Sequence, residues 1–433
     1  MTSDNKQQIG IVTAISFIVA NMVGTGVFTS LGFQLSGGVV DIAAIMILWL
    51  IGGIIAFCGA QAYGELGSAM PRSGGEYHFL SQIYHPAVGF SAGFFSMFAG
   101  FAAPVALAAM ALGKYCTVVW PALNPVIPAA SVIVLVTIIH CLSVKTGGAF
   151  QNVFTILKLL LIVAFIVAGF LAPEPQNISV IPTTATWKQI TTPGFAVCLI
   201  YVFYSFSGWN ASAYFVSEMK RPEKNLPLSL LVGTVIVTVL YLLLNFVFLR
   251  VSSVDSLSGQ LEIGAIAATS IFGPRGGQVM AVVIGLLLIS SISSMVFAGP
   301  RVIQVIGEDY PALGFMSRRR SNGVPMVAIL VQSGISLVLL FTSTFEALIS
   351  YLGFMMNVYC FLCVLGVFVH RRRFPNAERK FKVWGYPVTP ILFLLFFLWN
   401  FFYMFTEKTQ ETLIGLATLL LAGLVYALVR KKT

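Results

Sequence analysis

The chain has 433 residues, 58% hydrophobic and only 9% charged, whereas a soluble domain of that length carries roughly a quarter of its residues as Asp, Glu, Lys and Arg. A soluble fold is excluded, and so is a transmembrane β-barrel, because the apolar runs are about 20 residues long and do not alternate. The net charge of +10 does not indicate a nucleic-acid partner, since the basic residues sit in short loops between apolar runs, where they report topology in a lipid bilayer.

Taken in chain order, twelve membrane spans are expected, at 9–32, 40–63, 88–113, 126–143, 149–171, 194–217, 227–250, 278–300, 323–343, 345–369, 386–405 and 411–430. The polar start runs into the first span without a small-residue cleavage site, so no removable signal peptide is expected. An even count puts both termini on one side. The loops and tails of that side hold nineteen Lys and Arg, among them Lys6, Arg72, Lys145, Arg320, Arg371, Lys431 and Lys432, against Lys114, Lys188, Arg250, Arg275 and Lys408 on the other. By the positive-inside rule the termini are cytoplasmic, and the expected location is a cell inner membrane.

Span 1 reads IGIVTAISFIVANMVGTGVFTSLG, with Gly24, Thr25 and Gly26 at its centre. Glycine costs roughly 1 kcal/mol relative to alanine in a helix interior and admits non-helical angles, so a break is expected there. The loop at 68–86 is Gly-rich and partly amphipathic, which fits a short helix lying at the membrane interface. Lys158 stands about eight residues into span 5, and a charge at that depth is costly unless it meets partners. No acidic residue is placed to neutralise it. The expected acceptors are carbonyls at the C-terminal end of the first half of span 1, where the helix dipole is negative. Span 6, FAVCLIYVFYSFSGWNASAYFVSE, repeats the break with Ser205, Ser207, Gly208 and Asn210 at its middle. The outer loop at 252–275 carries an apolar stretch at 263–271 that fits a lid packed over an entrance.

Gly24 and Ser207 are 207 − 24 = 183 residues apart, about the spacing expected if spans 1–5 and 6–10 are two copies of one unit. The expected fold is an all-α integral membrane protein of twelve transmembrane helices: a 5+5 inverted repeat, in 1–171 and 194–369, with two added helices in 386–430. Corresponding breaks in two halves point to a transport site. Unwound backbone frees N–H and C=O groups that lipid cannot satisfy, so it is tolerable only beside a cavity. The N–H donors opening the half-helix after Gly26 suit a carboxylate, and carbonyls before each break suit an ammonium. An α-amino acid carries both. Cys360 and Cys363, a C-x-x-C within an apolar helix, read as packing residues. His78, His85, His140 and His370 make no metal-ligand pattern, so no metal, cofactor or enzymatic activity is expected. The charge rings or symmetric carbonyl filter of a channel are not apparent either.

Five stretches stand in order: GTGVF from Gly24, AYGELGSAMPRSGGEYHFL from Ala62, QNVFTILK ending at Lys158, FSGWN from Phe206, and SEMKRPEKNLPLSL from Ser217. Together they resemble the amino acid, polyamine and organocation superfamily, most closely its L-type amino-acid transporter branch, with its leucine-transporter-like fold. The resemblance implies a carboxylate held by N–H groups around Gly24, Thr25 and Gly26, and an amine held by carbonyls near Met22, Val23, Tyr204 and Ser207, beside Ser205 and Phe206. Tyr204 matches the aromatic gate over the substrate. Lys158 matches a family lysine that replaces a sodium site and bridges span 5 to spans 1 and 8, with Tyr241 cooperating and Ser293 or Ser294 beside it. Asn210 matches a polar pocket residue, and Ser207 stands where relatives carry glycine, narrowing the pocket toward small side chains. Trp209 reads equally as a guanidinium stack or as helix packing. A cationic substrate would want a pocket carboxylate, and none is expected near either break. Animal relatives pair through a disulfide with a glycoprotein; Cys116 is misplaced for that bond, so no such subunit is expected. The implied function is sodium-independent exchange of small neutral L-amino acids (Ala, Ser, Thr, Cys) by alternating access. The alternatives are a proton-coupled or cationic amino-acid or polyamine transporter of the same superfamily, or a channel.

Overall fold

A computed structural model describes residues 9–142, 144–173, 175–319 and 324–430, with the backbone alone for 144–154. Lys6, Arg320, Lys431 and Lys432 lie outside the described residues, as does the side chain of Lys145. The helices, in chain order, are α1 (Ile11–Met22), α2 (Thr25–Ser36), α3 (Ile42–Ala69), α4 (Glu76–Ile83), α5 (Pro86–Phe95), α6 (Ala102–Val119), α7 (Val126–Leu142), α8 (Val144–Phe170), α9 (Thr184–Ile190), α10 (Pro193–Phe206), α11 (Pro222–Val251), α12 (Val254–Leu257), α13 (Ile263–Asp309), α14 (Met326–Thr342), α15 (Phe345–Arg373), α16 (Val388–Glu407) and α17 (Thr409–Val429). A π-helical turn, Ser96–Gly100, joins α5 to α6, and the 3₁₀ segment Ala211–Glu218 follows α10. The described residues contain no strand, only one parallel bridge between Ile9 and Met219.

Local chemistry sets several of these boundaries. Asp41 accepts the Ala44 N–H to start α3, and Thr344 accepts that of Ala347 to start α15. Thr192 accepts the Phe195 N–H ahead of α10, with Pro193 in the first turn, where its missing N–H costs nothing. Among the described residues nine helical segments are long and apolar enough to cross a membrane; Val126–Leu142, Thr155–Phe170 and Met326–Thr342 are shorter apolar helices. A helix of 17 residues spans about 25 Å at 1.5 Å per residue, short of a hydrocarbon core of about 30 Å.

The two interrupted helices lie in the middle of the packing. α1 touches α8, α11 and α13, while α2 packs on α10. α3 lies along α11, and α6 along α13. Leu420, Leu421, Leu424 and Leu428 on α17 are exposed, as expected of a face turned to lipid.

Two loops differ from the sequence expectation or extend it. A short helix does form in the loop at 68–86, and α4 is packed into the protein instead of resting on its surface: Glu76, Tyr77, His78, Phe79, Leu80 and Ile83 are all buried. Its contacts with α5 and α15 account for that burial, which a short amphipathic pattern cannot foretell. The apolar stretch of the outer loop becomes the start of α13, which bends at Gly273 (φ 77°). That loop rests on the C-terminal half of α2, where the Gly259 N–H donates to the Gly32 carbonyl at 2.9 Å.

Candidate functional site

Both expected breaks are present. α1 ends at Met22, and α2 begins at Thr25 with Gly24 as an uncapped N-terminal flank. The first N–H groups of α2 thus lack acceptors inside their own helix. α10 ends at Phe206, and the chain turns through Gly208 (φ 95°) before the 3₁₀ segment. Gly208 suits that turn because a side chain is strained at positive φ.

Lys158 reaches the first break. It is 1% exposed, and its Nζ donates to the carbonyl of Val23 at 2.6 Å, the hydroxyl of Ser291 at 2.9 Å and the carbonyl of Ala20 at 3.3 Å. One ammonium therefore joins α8, the negative end of α1 and α13. The serine differs from the expectation. Ser293 instead meets Nε2 of His140 at 2.8 Å, and Ser294 donates to Asn21 and to the Ser291 carbonyl. Successive residues turn by about 100° on a helix, which takes Ser293 off the face that Ser291 presents to α1, whereas Ser294, three residues on, shares that face but sits about one turn away along the axis, at Asn21.

Tyr241 ties the two breaks together. Its hydroxyl lies between the carbonyls of Met22 and Ser205, 2.8 Å from the latter. It contacts the same end of α1 as Lys158 and not the lysine itself. The Tyr204 hydroxyl pairs with that of Thr25 at 2.7 Å, and Ser30 with Ser205 at 2.9 Å. At Gly26, an added Cβ would lie 2.4 Å from the Ser205 Cα. The halves thus meet backbone to backbone.

A cavity of about 50 Å³ adjoins the breaks, lined by Asn21, Ser207, Gly208, Asn210 and Ala211 together with Glu76, Phe95, Phe101, Tyr214, Met295 and Tyr359. Of the residues expected to hold substrate, Ser207 and Asn210 line it; Met22, Val23, Gly24, Thr25, Gly26, Tyr204, Ser205 and Phe206 lie outside it. The expectation that no carboxylate stands near the breaks is overturned by Glu76. Its Oε1 accepts from Tyr63 at 2.8 Å and from Asn210, and its Oε2 from Tyr214 at 2.7 Å. Sequence reasoning missed it because Glu76 and Asn210 are 134 residues apart and nothing local foretells burial of the α4 loop. Trp209 is packing: it is 3% exposed and sits edge-on to Tyr63 at 4.7 Å.

A bundle of apolar helices with two of them interrupted beside a polar cavity is the architecture of a multi-pass membrane transporter. The particular family follows from comparison: a model of the family described as amino acid permease matches residues 9–425, and the chain belongs to that family, within the amino acid, polyamine and organocation superfamily and its L-type-like branch. It is similar to the serine/threonine exchanger SteT of Bacillus subtilis (strain 168), at 29% identity covering 100% of this chain and 99% of the relative. It also resembles the b(0,+)-type amino acid transporter 1 of Mus musculus (26%, covering 92% and 83%) and the large neutral amino acids transporter small subunit 2 of Mus musculus (29%, covering 98% and 81%). The chain is therefore an amino-acid transporter and not an enzyme.

Proposed function

We propose that this transporter exchanges small neutral L-amino acids, of the Ala, Ser, Thr and Cys class, without sodium and by alternating access. In this reading twelve spans form a 5+5 inverted repeat, 1–171 and 194–369, with 386–430 added. Both termini are cytoplasmic in an inner membrane, and the chain works without a glycoprotein subunit. The carrying observation is the Lys158 ammonium bound to the carbonyls of Val23 and Ala20, where a sodium ion would otherwise gather carbonyl oxygens. The name of the Bacillus relative, a serine/threonine exchanger, supports small hydroxylated substrates. The reading without a disulfide-linked partner rests on the place of Cys116, within α6 and not in a loop.

The substrate carboxylate is assigned to the N–H groups opening α2 around Gly24, Thr25 and Gly26. The amine goes to carbonyls at the ends of α1 and α10, near Met22, Val23, Tyr204 and Ser207, and the side chain extends toward Ser207 and Asn210. Tyr204, latched to Thr25, gates the outer side, and Lys158 with Tyr241 holds the breaks in register. Purified protein in proteoliposomes tests this. Uptake of labelled L-serine should require serine inside the vesicle and be indifferent to Na⁺; uptake that needs a Na⁺ gradient, or that proceeds equally into empty vesicles, refutes it.

A further inference from the structure

Among the described residues two glutamates are buried, and they are treated differently. Glu65, 1% exposed, meets the guanidinium of Arg371 at 2.6 Å and that of Arg379 at 3.7 Å. Glu76, 6% exposed, has three neutral donors, Tyr63, Asn210 and Tyr214, and among the described residues no Lys, Arg or His forms an ion pair with it. A buried carboxylate without a cation is costly. Two oxygens offer about four acceptor positions, and three are taken. That leaves one acceptor position, and the cavity beside Glu76 has the right surroundings for a cation. Glu76 lines the cavity, no basic side chain does, and the rings of Phe95, Phe101 and Tyr359 form its walls, surfaces on which an ammonium rests favourably. The carbonyl end of α10 adds partial negative charge nearby. A volume of about 50 Å³ holds three or four water-sized groups at roughly 10–15 Å³ each, which matches two methylenes and an amine.

We propose that Glu76 is a carboxylate subsite for a protonated amine at the end of a short substrate side chain, so that the transporter takes diamino acids of the length of L-2,4-diaminobutyrate beside its neutral substrates. This rests on the reading that the substrate's α-amino and carboxylate groups are held at the two breaks. L-Norvaline has the same shape with a methyl in place of the ammonium. In competition against labelled L-serine counterflow, and in ligand-induced thermal stabilisation in detergent, diaminobutyrate should act at concentrations at least tenfold lower than norvaline. Glu76→Gln should bring that ratio to about one, whatever happens to the overall rate, while Glu76→Asp keeps part of it. A wild-type ratio near or below one, or a Gln variant that keeps the tenfold ratio, overturns the subsite. The detergent measurement needs no transport, and the wild-type ratio stands if a variant fails to fold. Failure of serine counterflow in the wild type overturns the exchange reading and leaves the binding ratio to decide the subsite by itself.

Discussion

Gly26 and Gly24 are two residues apart at the same break, yet the structure sets them opposite tolerances. A Cβ at Gly26 would stand 2.4 Å from the Cα, 2.5 Å from the Oγ and 2.7 Å from the Cβ of Ser205. Ordinary contact begins near 3.4 Å, so α2 and α10 would have to separate by about 1 Å. The obstruction includes backbone, which cannot rotate away as a side-chain end can, so the cost falls at the upper end of the 1–3 kcal/mol typical of overpacking. At about 3 kcal/mol, binding that depends on this contact falls roughly a hundredfold. At Gly24 the nearest atom to an added Cβ is the Ser291 Oγ at 3.5 Å, which is ordinary contact. Gly26→Ala should therefore lower the melting temperature in detergent by several degrees and weaken serine binding by about two orders of magnitude, whereas Gly24→Ala should cost less than tenfold. The quantities to measure are Tm by thermal denaturation and Kd by equilibrium binding on the same monodisperse preparations. A Gly26→Ala protein with wild-type Tm and Kd, or a Gly24→Ala protein that is the worse of the two, would show that the close approach of the two broken helices is not what the glycine serves.

Lys158→Ala removes the donor shared by Val23, Ala20 and Ser291, each charge-assisted bond carrying about 1.5–3 kcal/mol; exchange should drop at least tenfold with the protein still monodisperse, and normal flux would remove the lysine from the mechanism. Tyr241→Phe leaves the Met22 and Ser205 carbonyls without their shared donor, at about 1–3 kcal/mol, so the KM for serine exchange should rise between fivefold and a hundredfold; an unchanged KM contradicts the bridging role. His78, buried on α4 beside Arg72 with Asp309 opposing, is pushed down from 6.5 to about 4, chiefly by burial. Because the folded protein binds that proton less readily than the unfolded chain, the neutral ring's contribution is complete above about pH 6.5 and is lost as the pH falls toward 4, at most about 3 kcal/mol in all. Detergent Tm should fall over that window, and less steeply in His78→Gln; parallel curves refute the assignment.

What was legible in the sequence was whatever depends on local composition. Gly24, Thr25 and Gly26 in one apolar run, and Ser205 to Asn210 in another, announce unwound backbone because glycine and small polar residues favour it at a depth where an unbroken helix is otherwise the rule. Lys158 announced its acceptors for a similar reason: with no acid in reach, only the negative end of a half-helix can satisfy a buried ammonium. The choice of Ser291 over Ser293 and Ser294 was not legible, since it depends on both the rotation and the axial position of α13 against α1, and α13 bends at Gly273. Nor was the π-helical turn at Ser96–Gly100. Glu76 was the most consequential omission. A loop carboxylate reads as solvated until the packing of α4 against α5 and α15 carries it inward to Asn210.

A tethered ammonium differs from a bound sodium ion in one respect that bears on the proposed exchange. Sodium released on the far side gives up the free energy of its gradient, whereas the Lys158 ammonium stays with the protein in every state and supplies none. Uphill movement of one amino acid must then be driven by another moving down. The obligatory character follows from the same backbone groups. In the proposed binding mode the N–H donors opening α2 are paired with the substrate carboxylate; in the empty carrier they cross the membrane interior lacking that partner, and a single unmet buried group costs about 1–3 kcal/mol. Two such groups add several kcal/mol to the barrier of the empty return step, slowing it by two orders of magnitude or more. Tyr241 and Lys158 already satisfy the carbonyls of Met22, Val23 and Ala20, so the penalty falls on the α2 donors. The requirement for internal serine expected in proteoliposomes is therefore a reading of those N–H groups, and vesicles that fill equally well when empty would mean that water satisfies them throughout the cycle.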